Sequence, residues 1–98
     1  MENQRLLRFA APALYKKMVE TFSANHLHPY DVLATVIQDE QGFEVRIRFS
    51  TDYSLGEIFH VSFEQAMNPD QKVKRIFEET AEKCKTQLIA DYFKMIKL

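Results

Sequence analysis

Apolar residues recur at two spacings along this chain, and each switch of spacing marks an element. Leu14, Tyr15, Met18, Val19 and Phe22 recur as one face of a helix does. Pro12 precedes them, where a first-turn N–H is not needed. Asn25 tolerates the left-handed conformation that ends a helix, so the pattern predicts a helix over about residues 12–25. Leu6, Leu7 and Phe9 predict a separate helical turn upstream. His28-Pro29 favours extended backbone at His28, and Tyr30 to Gln38, rich in β-branched residues, reads as a strand. Asp39-Glu40-Gln41-Gly42 suits a three-residue hairpin with a bulge at the glycine. Phe43, Val45, Ile47 and Phe49 then alternate with Glu44, Arg46, Arg48 and Ser50, a strand with one apolar face. After a loop over 52–56, Phe59, Val61 and Phe63 alternate with Ile58, His60, Ser62 and Glu64 in a third strand. Asn68-Pro69-Asp70-Gln71 supplies a cap, a first-turn proline and a glutamine that can reach back. No Gly or Pro follows as far as Leu98, so the last helix is predicted to run ~29 residues, or ~43 Å.

The order α-β-β-β-α with tight loops predicts one α+β domain over residues 1–98. It consists of a three-stranded antiparallel meander, both helices on one face, and a long C-terminal helix. A bulged first hairpin puts Leu33, Thr35 and Ile37 in the core and turns Val32, Ala34 and Val36 outward beside Arg46 and Arg48.

Length exposes a mismatch. A strand of ~8 residues covers only ~27 Å, so the last helix overhangs its sheet by roughly ten residues. Val73, Phe77, Thr80 and Cys84 form one apolar stripe on it. Leu88, Ile89, Tyr92, Phe93, Met95 and Ile96 form a second, rotated by roughly 80 to 90°. The second stripe needs its own cover. Leu6, Leu7, Phe9 and the first helix supply one in cis, and a second copy of the chain supplies another. About six large apolar side chains exceed what a monomer ordinarily leaves in water, and a symmetric pair is the commonest homo-oligomer. The expectation is therefore a homodimer through Leu88, Ile89, Tyr92, Phe93, Met95 and Ile96, with another protein partner as the variant of the same idea.

Composition narrows the function classes. Of 98 residues, 46% are hydrophobic and 28% charged, ordinary usage for a folded domain. A net charge of -1 supplies no global attraction for nucleic acid or an anionic membrane. One cysteine, Cys84, excludes an internal disulfide. No signal-peptide apolar region and no run of about 18 apolar residues is present. The expected setting is cytoplasmic, away from membranes.

Candidate chemistry is thin. His26, His28 and His60 are the only histidines, with Asp31 near the first two, and a metal site needs three or four converging ligands. Cys84 sits on an apolar stripe, where a thiol packs rather than attacks. No Gly-rich phosphate loop, paired-Cys motif, His-Glu-x-x-His or Ser elbow occurs. No catalytic residue, metal ligand or cofactor is assigned, and the expected function is a non-enzymatic interaction or assembly module. A pocket enzyme using His60 or Cys84 ranks last, because no nucleophile–base pair can be placed.

Lys72, Lys74 and Arg75 crowd the start of the last helix, against its dipole. With Arg46 and Arg48 they make a candidate anion or nucleic-acid patch, and i,i+4 pairing with Glu78 and Glu79 explains the helix cations without a ligand. The element order over about residues 12–85 resembles the double-stranded RNA-binding domain. That resemblance implies basic residues at the start of the last helix, the region of Lys72, Lys74 and Arg75. It is one of topology. The family's first hairpin loop carries Gly, Pro and His where this chain has the acidic Asp39-Glu40-Gln41-Gly42. Nucleic-acid or phosphate-ligand binding through the basic patch at the start of the last helix is the alternative function, with the likeness to the double-stranded RNA-binding domain confined to topology.

Overall fold

A computed structural model describes residues 4–49 and 55–95. Strand β1 (Gln4–Leu6) leads into a helical turn α1 (Leu7–Ala10) and helix α2 (Pro12–Ala24). A 3-10 turn over Pro29–Asp31 precedes β2 (Leu33–Gln38), β3 (Gly42–Phe49) and β4 (Leu55–Ser62). A short helix α3 (Phe63–Met67) and the long α4 (Gln71–Met95) complete the order. The class is α+β. The three strands of the meander are joined by β1, giving an antiparallel sheet ordered β1-β2-β3-β4.

Local chemistry explains each boundary. The Nδ1 of His28 accepts the Tyr30 N–H, and the Asp31 carboxylate accepts the His28 N–H. Together they tie Pro29–Asp31 into a capped 3-10 turn and shorten the strand expected from Tyr30. At the other end of the sheet, the Ser62 hydroxyl accepts the Gln65 N–H and the Gln65 side chain accepts the Ser62 N–H. This capping box ends β4 and turns Phe63 and Glu64 into α3. The cap of α4 is Asp70 rather than Asn68. Its carboxylate accepts the Val73 N–H at 2.9 Å and the Gln65 amide at 3.2 Å.

The first hairpin corrects the expected facing of β2. Asp39 donates its N–H to the Gly42 carbonyl and accepts the N–H groups of Gln41 and Gly42 on its carboxylate. Gln38 therefore pairs with Phe43 across four loop residues, not three, and every β2 side chain changes face. Ala34 and Val36 lie opposite Ile47 and Val45 in the core, and Val32 is buried with them. Leu33, Thr35 and Ile37 lie opposite Arg48, Arg46 and Glu44 on the outer face. Thr35 is buried there nonetheless, flanked by Leu6 of β1 and Arg46 of β3. Gly42 sits at φ 155°, and a Cβ on it would run into the Val61 carbonyl oxygen.

One core joins the helices to the inner sheet face. Leu7, Leu14, Met18 and Phe22 pack with Val36, Val45, Ile47, Val61, Val73, Phe77 and Cys84. Phe77 meets Phe22 and Phe59 edge-on, so the first half of α4 is wedged between α2 and β4.

Candidate functional site

The last half of α4 leaves that wedge. Val73, Phe77, Thr80, Ala81 and Cys84 are buried, and Leu88 is half-buried against the core. Ile89, Tyr92 and Phe93 are then 52%, 59% and 62% exposed. The rings of Tyr92 and Phe93 meet edge-on at 5.9 Å, so part of the patch is already ordered against itself. Between these residues Asp91 turns the other way: it is buried, and its carboxylate accepts the Gln87 amide at 2.9 Å. Met95 is the last residue of α4, and Ile96 lies outside the described residues.

The cis cover is used elsewhere. Leu6 pairs opposite Thr35 in the sheet, Leu7 is in the core, and Phe9 is 65% exposed beneath the Arg8 guanidinium. The four members of the predicted surface whose side chains are described, Leu88, Ile89, Tyr92 and Phe93, thus share one helix end. Three of them face solvent.

The basic residues do not converge. Lys72, Lys74 and Arg75 are exposed on the first turns of α4, whose apolar side packs on the inner sheet face. Arg46 and Arg48 stand on the outer face, and Arg46 is held by Glu44 at 3.0 Å. The core separates the two groups. The Asp70 carboxylate also occupies the helix start that an anion would use. The Val73 N–H and the Gln65 side chain hold its pKa below the ordinary carboxylate value. Farther along, Lys83 pairs with Glu57 of β4, which raises the lysine pKa.

The histidines are dispersed. His26 is exposed at φ 62°, His28 stacks on Tyr30 in the 3-10 turn, and His60 bonds Asp39 at 2.9 Å on the outer face. The Gln41 N–H and the His60 ring hold Asp39 below its ordinary pKa. Burial pushes the Cys84 thiol up to about 11, with the Asp31 charge adding to it. Cys84 lies within the core and His60 on the far side of the sheet, so they cannot act as a nucleophile–base pair. Among the described residues, no group of three or more His, Cys, Asp or Glu could hold a metal ion. No described helix is long and apolar enough to cross a membrane.

Two clefts remain. One, of about 450 Å³, lies between the start of β4 and Glu82, Lys83, Thr86 and Gln87 of α4. The other, of about 270 Å³, is lined by Ala10, Ala13, Phe43, Phe63 and Met67 and carries no titratable side chain. The first draws its polar side chains from α4 alone, and the second is apolar. No family model, no curated protein and no solved structure matches this chain.

Proposed function

We propose that the chain is a non-enzymatic assembly module that pairs with a second copy of itself through the terminal half of α4. The observation that carries this reading is the exposure of Ile89, Tyr92 and Phe93 together on a helix end that Leu88 packs against the core. Burying large apolar side chains is worth roughly 25 cal/mol per Å² removed from water, and a rigid helix orders few further groups on docking. A two-fold axis presents the same face to itself, so one patch suffices. Three side chains per copy make a small interface, of the class that dissociates at about micromolar concentration.

Size-exclusion chromatography with light scattering, from about 5 to 500 µM, tests it. The expected mass at the upper end is at least twice the 11.5 kDa of one chain. Phe93→Glu should halve it, because each copy would have to desolvate a carboxylate in the contact. A single-chain mass throughout, with no binding of an apolar dye, overturns the reading.

A further inference from the structure

The two edges of the sheet are built differently. β1 is three residues long with Arg5 at its centre, a short and charged edge that discourages pairing. β4 is eight residues long, and Leu55–Ser62 contains neither Pro nor Lys. It pairs with β3 along its whole length and lies at the other end of the sheet order. Among the described residues, the one charged side chain on this strand is Glu57, turned to the inner face and paired with Lys83 of α4.

Alternation along the ladders identifies the free groups. Asp39 donates its N–H to Gly42, which makes the even-numbered residues of β3 the ones bonded to β2. The odd-numbered residues of β3 then bond β4 through Leu55, Glu57, Phe59 and Val61. Gly56, Ile58, His60 and Ser62 point their backbone groups outward. The Ser62 N–H confirms the phase, since it is taken by the Gln65 side chain rather than by β3. By this alternation the N–H and C=O groups of Gly56, Ile58 and His60 lie outside the β3–β4 ladder, and Ile58 is 62% exposed.

We propose that this edge is a second self-association surface, joining β4 to β4 of another copy, antiparallel, about a two-fold axis at Ile58. This goes beyond pairing at α4 and uses none of its residues. Only registers that match the even-numbered residues use the free groups and keep the two outer faces on one side. Centring on Ile58 sets it against the partner's Ile58 and sets His60 against the partner's Gly56. Across the outer face, one row then reads Glu44 and His60, followed by the partner's Gly56 and the partner's Arg48. The symmetric row runs in reverse. Each copy's Glu44 then lies three strand spacings, ~14 Å, from the partner's Arg48 across the side-chain-free Gly56, so the register sets opposite rather than like charges on one row. This self-complementarity commits the edge to a second copy.

The test uses the full chain. In a hydrogen-bonded antiparallel pair the two Cα atoms at the axis lie ~5.5 Å apart, within the ~4.4–6.8 Å that a disulfide spans. Ile58→Cys should therefore form a covalent dimer under mild oxidation at least tenfold faster than Glu78→Cys, an exposed helix position, as a collisional control. Cys84 is buried and does not compete. In a Phe93→Glu background, which removes the α4 contact, the chain should still dimerise. Adding Ile58→Pro should then abolish that dimer, since proline deletes an outward N–H and no bond to β3. Cross-linking no faster than the control, or a Phe93→Glu chain that is monomeric at every concentration, overturns the proposal. A wild-type dimer that Phe93→Glu dissolves would at the same time leave the α4 reading standing.

Discussion

His26 is the one described non-glycine residue with a positive φ, at 62°. It follows the end of α2, where its N–H reaches the Ser23 carbonyl and the Leu27 N–H reaches the Phe22 carbonyl. That pair of bonds is a Schellman stop, and Leu27 and Phe22 are both buried at it. A left-handed end after Ala24 was legible from Asn25, but the strained position is one residue later. Asn25 instead donates its side-chain amide to the Thr21 carbonyl and keeps a negative φ. A left-handed L-residue costs about 1–2 kcal/mol that glycine avoids, less the extra freedom glycine has when unfolded. His26→Gly should stabilise the fold by about 0.5–1 kcal/mol, read from the urea midpoint at unchanged slope. A loss of stability would mean that the imidazole makes a contact the backbone does not reveal.

Elements were legible where the signal was periodic and illegible where one side-chain bond decided. α2, β3 and α4 follow from apolar spacing that packing on one core reinforces. The facing of β2 did not follow, because Asp39 and Gly42 close a loop one residue longer than the bulged alternative, and parity does the rest. The short α3 was missed although Ser62-x-x-Gln65 is written in the sequence, because Phe63 continues the alternation of β4 past the cap. At α4, two side chains of the Asn68–Gln71 stretch could cap, and Asp70 does. Its pKa is lowered in the fold, so its contribution is present above the unfolded value of about 3.9 and is lost as pH falls through the lower, folded value. Asp39 has the same sign. Asp70→Asn should leave stability at pH 7 little changed, since asparagine also caps. It should flatten the decline of thermal midpoint below about pH 4. An acid limb identical to that of the wild type would remove Asp70 from the account of α4.

Among the described residues the molecule has a closed side and at least two open ones. α2 and the first half of α4 seal the inner sheet face, while the end of α4 and the edge of β4 both keep apolar or unpaired groups in water. The candidate surface on α4 was legible because the length and spacing of one helix determine it. The edge of β4 was not, because which strand ends a sheet depends on β1 taking the other side, and three residues carry no periodicity. If copies associate in the native state and separate on unfolding, stability must depend on protein concentration by mass action. For a dimer that unfolds to two chains, each tenfold rise in concentration adds about 1.4 kcal/mol per dimer, which moves the urea midpoint up by roughly 0.3–0.5 M at slopes usual for this size. The wild-type chain should show that rise, and each single change, Phe93→Glu or Ile58→Pro, should reduce its steepness. The double variant should unfold at one midpoint across the whole range, because Phe77, Val45 and the rest of the core lie within each copy and owe nothing to a neighbour. A wild-type midpoint independent of concentration would show that neither open side is occupied by another copy, and a double variant that still shifts would place the contact elsewhere on the molecule.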